Sequence, residues 1–153
     1  MSFEVKKITD PDDPVLETVV KWICDWWGEA QDPDQMRDYY KRSVCKDKLP
    51  YTYVGFADGV PVGTFQFGMG DIFVRPDLYP WLKHVCVAPE YRGSGYAAEM
   101  MRFASEEIRK LQFDNFYLFT HLDGFYEKFG WEFVETFQGY ADYGIQRMYI
   151  FKK

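Results

Sequence analysis

Apolar and polar positions along the 153-residue chain alternate with two periods, and the order of those periods sets out the elements. Residues 3–8 carry a short strand pattern. The stretch Thr9-Asp10-Pro11-Asp12-Asp13-Pro14 then reads as a turn and helix start, because Asp and Pro suit the first turn of a helix. From Val15 to Trp27 the apolar residues Leu16, Val19, Val20, Ile23, Trp26 and Trp27 recur at helical spacing. A second helix is predicted over residues 33–45, behind Asp32. Two strands, 51–57 and 60–67, flank Asp58-Gly59, a pair that favours the positive dihedrals of a tight hairpin. Residues 68–79 are irregular. The pattern next predicts a strand at 81–87, a helix at 95–111, a strand at 116–120 and a short helix at 122–129. Strands at 131–137 and 145–151 close the chain. An early hairpin and a late strand pair around a strand–helix–strand unit predict an α/β fold with a mixed, mostly antiparallel sheet flanked by helices.

Length and composition narrow the class. At 153 residues the chain fits a single domain, 1–153, and its 47% hydrophobic and 20% aromatic content supplies one packed core. No apolar run approaches the roughly 18 residues of a membrane span, and the N-terminus has no signal-peptide pattern. Cys24, Cys45 and Cys86 are odd in number and widely spaced, which points to a reducing cytoplasm and neither to a metal knuckle nor to a disulfide framework; no metal is expected. A net charge of −6 argues against nucleic acid as a partner and is compatible with a cationic one.

The chemistry concentrates in Val85-Cys86-Val87-Ala88-Pro89-Glu90-Tyr91-Arg92-Gly93-Ser94-Gly95-Tyr96-Ala97. A strand ends, a loop with two glycines follows, and a long amphipathic helix opens behind it. Glycines let backbone approach a phosphate closely, the helix N-terminus presents N–H groups with a favourable dipole, and Arg92 adds positive charge. The bland alternative is an ordinary helix start. Gly93, Gly95 and Ala98 also satisfy a Gly-x-Gly-x-x-Ala dinucleotide fingerprint. That reading fails on context: the motif does not open the first βαβ unit, and the next strand runs into Thr120-His121 with no carboxylate for a ribose. A Walker loop is absent, since no Gly-Lys-Ser or Gly-Lys-Thr occurs.

Val-x-Val-x-Pro-Glu-Tyr-Arg-Gly-x-Gly resembles the acetyl-CoA signature of the GNAT superfamily of N-acetyltransferases, with Arg92, Gly95 and Ala97 in the defining places. A second segment, Phe125-Tyr126-Glu127-Lys128-Phe129-Gly130-Trp131, is similar to that family's Phe-Tyr-x-Lys-x-Gly-Phe box. The resemblance covers residues 51–137 well and the first two helices in pattern only. It implies the family's acyl-CoA acyltransferase fold and transfer of acetyl from acetyl-CoA to a primary amine, expected to be a small molecule, by direct attack in a ternary complex. It further implies that Val85, Cys86 and Val87 face the pantetheine arm, and that N–H groups of Arg92, Gly93, Ser94, Gly95, Tyr96 and Ala97 hold the pyrophosphate. A backbone N–H near Cys86 would polarise the thioester carbonyl.

By the same resemblance Tyr126 is the general acid that protonates the departing thiolate. The acceptor's ammonium must also lose a proton. His84 is one candidate base, expected on the same side of its strand as Cys86; His121 and a water chain are the others, and the choice stays open. Cys86 as a covalent nucleophile is weighed against simple packing in a buried strand. The sequence departs from the family pattern at Phe119-Thr120-His121-Leu122, where many members carry an Asn; Thr120 is the candidate substitute for that cofactor contact.

The acceptor side is expected to draw on the first two helices and on loops 68–80 and 137–145. Trp26, Trp27, Tyr39, Phe73, Tyr79, Trp81, Tyr140 and Tyr143 lie in or directly beside those segments, as do Glu29, Asp71, Asp77 and Asp142. Aromatic faces and carboxylates both suit a cation, although core packing and solvated charge account for such residues equally well. Two rival functions remain: a peptide or protein N-acetyltransferase, and a non-catalytic acyl-CoA-binding regulator. A homodimer is compatible with either.

Overall fold

A computed structural model of the chain describes residues 2–27, 31–71, 75–139 and 144–153. In chain order the elements are β1 (Phe3–Ile8), α1 (Val15–Trp27), α2 (Pro33–Lys41), β2 (Tyr51–Ala57), β3 (Val60–Gly68), β4 (Trp81–Val87), α3 (Tyr96–Lys110), β5 (Asn115–Thr120), β6 (Glu132–Gln138) and β7 (Ile145–Lys152). Short 3-10 turns occupy Pro89–Tyr91 and Tyr126–Phe129. The strands form one seven-stranded sheet in the order β1-β2-β3-β4-β5-β7-β6. β1–β2, β2–β3, β5–β7 and β6–β7 pair antiparallel, and β4 pairs parallel with β5 at Trp81↔Tyr117. The sheet is thus mixed and mostly antiparallel, as the alternation of patterns predicts.

Two boundaries differ from expectation. The second helix stops at Lys41 and does not reach residue 45. Ser43 Oγ donates to the Tyr39 carbonyl at 2.6 Å and so takes over a carbonyl that a further turn would have used. The helix expected over 122–129 shrinks to the 3-10 turn at Tyr126–Phe129, because Thr120 Oγ1 accepts from the Leu122 N–H at 3.1 Å and holds the preceding residues in a turn.

The chain clusters into two compact units that interleave in sequence: Met1–Phe67 with His84–Met100, and Gly68–Lys83 with Met101–Lys153. In the first, α1 and α2 lay Leu16, Val19, Val20, Ile23 and Tyr40 against Ile8, Val54, Cys86 and Ala88. α2 begins with Asp32 accepting from the Asp34 N–H at 2.9 Å and Pro33 in its first turn, a start that satisfies an otherwise orphaned donor. A buried polar chain ties the end of α2 to the hairpin. Tyr39 Oη donates to Gln66 Oε1 (2.8 Å), Gln66 Nε2 to Thr52 Oγ1 (2.9 Å), and Thr52 Oγ1 to the Ser43 carbonyl (2.7 Å). With every member paired, its burial carries little desolvation penalty. In the second unit Trp81 and Met148 are buried beside Tyr117, Phe119 and Phe137, and Trp131 packs on Phe151 at 5.3 Å.

Candidate functional site

The Arg92–Ala97 segment folds as its residue types dictate. Gly93 and Gly95 have φ of +85° and +84°, a region costly to side chains, and α3 begins at the next residue. A Cβ built on either glycine meets nothing within 4 Å, so both backbones border open space. The N–H of Glu99 is bonded to the Gly95 carbonyl at 3.1 Å, which leaves those of Ala97 and Ala98 without an intrahelical acceptor. Oriented N–H groups beside open space fit an anion such as a pyrophosphate.

Arg92 is held more firmly than a rim charge. Its Nε donates to the Val87 carbonyl at 3.1 Å, and its guanidinium lies over the half-exposed Trp26 ring at 4.3 Å. The loop is therefore tied both to the end of β4 and to the end of α1. Sequence reasoning placed Trp26 on the acceptor side and missed this contact, which no spacing rule signals.

Cys86 is buried, and desolvation pushes its thiol up to about 11 against a smaller opposing effect of the nearby Arg92. A thiol so protonated at neutral pH favours packing over nucleophilic attack. His84 has φ of +55° within β4, an uncommon conformation for a side-chain-bearing residue. Like Cys86 it reaches the helix layer: its Nδ1 lies 2.8 Å from Tyr40 Oη, and its ring sits among Trp27, Tyr39 and Tyr40 at 5.5, 5.5 and 5.9 Å. His121 is exposed on the turn after β5. The unit that carries the glycine loop thus also gathers His84, Trp27 and Tyr39, while Tyr40 is a member of the cluster that sequence reasoning did not single out. A buried tyrosine at the end of an amphipathic helix reads as core, and only the tertiary pairing separates it from the rest.

In the second unit Tyr126 opens its 3-10 turn and is buried against Phe125, Trp131 and Tyr149 at 5.0, 6.4 and 6.2 Å. Burial holds its phenol well above the ordinary tyrosine range, so the proton stays on. Gly130 ends the turn with φ of +95°, and a Cβ there would press to 3.1 Å from Phe151, which explains a glycine at this place in the box. Tyr149 Oη donates to Glu127 Oε2 and accepts from Arg147 Nε, both at 3.0 Å, bracing the same turn.

Thr120 is engaged in its local turn by the bond to Leu122 already described. Trp81 is fully buried, with Nε1 donating to the Leu78 carbonyl at 2.6 Å, so it belongs to the core and not to an acceptor surface. Asp77 is ion-paired with Arg75 through two hydrogen bonds of 3.0 and 2.9 Å. Asp71 is half-buried, and desolvation lifts its carboxyl to about 6 against the opposing charge of Lys83. Tyr79 is exposed. Glu29, Phe73, Tyr140, Asp142 and Tyr143 lie outside the described residues. Among the described residues no group of three or more His, Cys, Asp or Glu could hold a metal, and no helix is long and apolar enough to cross a membrane.

The model of the Acetyltransferase (GNAT) family matches residues 16–131, which span both the glycine loop and the Tyr126 box. The chain belongs to this family. Its fold is shared with solved GNAT structures at low sequence identity. An N-acetyltransferase from Staphylococcus aureus superposes with a TM-score of 0.76 at 14% identity, covering 99% of both chains. A spermidine N-acetyltransferase SpeG chimera from Vibrio cholerae and hSSAT gives 0.73 at 14%, covering 99% of this chain and 96% of that one. Arabidopsis thaliana Naa50, solved with a bisubstrate analogue of CoA and a peptide, gives 0.71 at 16% over 100% of both. No curated protein sequence matches the chain. As a GNAT acetyltransferase it is an enzyme of acyl transfer, in a family that uses acetyl-CoA and an acceptor.

Proposed function

We propose that this GNAT enzyme, acting as one domain over its 153 residues, transfers the acetyl group of acetyl-CoA to a primary amine of a small molecule, by direct attack within a ternary complex. The observation that carries the reading is the backbone cradle at Gly93–Gly95, where two positive φ values and open space accompany a helix N-terminus. In this proposal N–H groups from Arg92, Gly93, Ser94, Gly95, Tyr96 and Ala97 bind the pyrophosphate. Backbone of Val85, Cys86 and Val87 receives the pantetheine arm, an N–H near Cys86 steadies the carbonyl oxygen, and Thr120 adds a cofactor contact. Acetyl-CoA supplies the activated acyl group as a thioester.

Tyr126 serves as the general acid, giving its phenolic proton to the departing sulfur. Its burial keeps that proton in place at neutral pH. The same burial raises a thiolate's proton affinity, so the transfer does not become prohibitively uphill. For the acceptor's proton, His84 on β4 is kept in this proposal as a candidate base, with His121 and a water chain as the alternatives. The free thiols of Cys24, Cys45 and Cys86 support a cytoplasmic setting.

Tyr126→Phe tests the acid role, because it keeps the ring and removes only the hydroxyl. Turnover should fall on the order of a hundredfold while acetyl-CoA affinity stays nearly constant. Unchanged turnover removes Tyr126 from the mechanism. The acceptor is addressed by thiol release from acetyl-CoA with polyamines, aminoglycosides, amino acids and short peptides. Preference for peptides favours a protein acetyltransferase, and release with none of them favours a binding-only role.

A further inference from the structure

Arg92 is the only charged residue between Tyr91 and Ala98, and two contacts decide where its charge lies. The side chain folds back toward the strand it follows: Nε donates to the carbonyl of Val87, the last residue of β4, at 3.1 Å. That bond uses an edge of the guanidinium and leaves its flat faces for stacking. The guanidinium lies over the Trp26 indole on α1, its carbon 4.3 Å from the ring centroid. Trp27 meets the same indole edge-on at 6.3 Å.

The neighbouring residues dock on the same layer. Tyr91 packs against the cluster that contains Leu16, Val19 and Val20 of α1. The Lys21 ammonium on α1 is favoured first by its hydrogen bond to Asp25 and, more weakly, by the Glu90 carboxylate. At the other end of the loop Tyr96 is buried and stacks on Phe3 of β1 at 5.5 Å. Between these anchors Gly93, Ser94 and Gly95 are exposed, and a Gly-Ser-Gly run has more backbone freedom to lose than any other part of the site. Its upstream anchor is a long side chain, which holds the loop only while its own rotamers are restricted. The Trp26 ring supplies that restriction.

We propose that Trp26 is a positioning residue for the pyrophosphate site and not part of the acceptor surface. Its indole fixes the Arg92 guanidinium against the end of β4, so that the N–H groups of the loop and the arginine charge are in place before acetyl-CoA binds. The role rests on the proposed cofactor binding at this loop; the contact between Trp26 and Arg92 does not. A cation–π contact at a partly exposed site shifts an equilibrium about two- to fivefold, and that is the expected loss of acetyl-CoA affinity without the indole.

The contact is read in the ligand-free protein from the Arg92 Nε–H signal in a proton–nitrogen NMR spectrum, assigned by its disappearance in Arg92→Gln. The bond to Val87 slows exchange of this proton with water, and the indole face shields it to high field. Trp26→Leu should move the signal to lower field and speed its exchange. A parent signal at the ordinary arginine position, or one that Trp26→Leu leaves in place, overturns the contact.

The role is read by calorimetry with acetyl-CoA on Trp26→Leu, Trp26→Phe, Arg92→Gln and the Trp26→Leu/Arg92→Gln double variant. Trp26→Leu should raise Kd about two- to fivefold, and Trp26→Phe, which keeps an aromatic face, should recover part of the loss. In the Arg92→Gln background Trp26→Leu should change Kd no further, because the indole acts through the guanidinium. Trp26 is half-exposed, so the Tm of ligand-free Trp26→Leu should stay close to the parent's. An unchanged Kd in Trp26→Leu, equal losses with Leu and Phe, or a loss that persists in full after Arg92→Gln overturns the positioning role. So does a rise in KM confined to the acceptor amine, which would return Trp26 to the acceptor side. Absence of acetyl-CoA binding by the parent protein overturns the acetyl transfer reading and the positioning role together, and leaves the NMR signal to decide the contact alone.

Discussion

Replacing Gly95 by alanine separates the backbone demands of the glycine loop from its contact with a ligand. At φ of +84° an added Cβ costs about 1–2 kcal/mol through its clash with the following carbonyl. Loss of unfolded-chain freedom returns about 0.4–1 kcal/mol, so the free protein should be destabilised by about 1 kcal/mol. For a chain of this size that is a fall in Tm of about 2–4 °C. Beyond residue 95 and its two chain neighbours nothing lies within 4 Å of the new methyl, so no further steric penalty is expected within the fold. The methyl occupies the space a phosphate would approach. Gly59 supplies an internal control, since its φ is +82° and its Cβ also meets nothing within 4 Å, yet it sits in the β2–β3 turn. Thermal unfolding with and without acetyl-CoA is the assay. At a hundred times Kd the ligand adds about 2.7 kcal/mol, roughly 5–10 °C. Gly59→Ala should keep that increment, while a hundredfold loss of affinity in Gly95→Ala leaves only about 0.4 kcal/mol at the same concentration. Equal ligand-induced shifts in both variants would refute the assignment of Gly95 to the phosphate site.

Two further expectations concern titrating groups. With its thiol at about 11 instead of the ordinary 9.0, Cys86 has about a hundredfold less thiolate at pH 8, so iodoacetamide should label it far more slowly than in the urea-unfolded chain, as peptide mass spectrometry reads out; equal rates contradict its burial. Asp71 has a folded pKa of about 6 against 3.8 unfolded, so the folded state binds the extra proton and this group's contribution to stability falls as pH rises from about 4 to about 6. The full penalty, at most about 3 kcal/mol, is present above that window, and urea unfolding should show Asp71→Asn gaining on the parent protein by up to that amount between pH 4 and pH 7. A constant difference across the range contradicts the desolvation of Asp71.

Local chemistry explains what the sequence alone determined. The Asp58-Gly59 turn, the amphipathic α1 and the strand–glycine loop–helix segment depend on neighbours a few residues apart, and their predicted bounds agree with the structure to within a residue. The family follows from the same kind of signal, because Arg92, Gly95, Ala97 and the Tyr126 box are short runs whose spacing is fixed by one loop or one turn. The end of α2 was not legible, since Ser43 draws away a carbonyl within a network that includes Thr52 and Gln66 from distant strands. Trp81 and Asp77 read as acceptor-side residues by position, and only packing shows the first in the core and the second paired with Arg75. The tie of Arg92 to Trp26 and the contact of His84 with Tyr40 join residues 66 and 44 positions apart. Periodicity reports which face of an element is buried, whereas the identity of the partner on that face, such as Tyr40 for His84, is fixed by how α1 and α2 dock on the sheet.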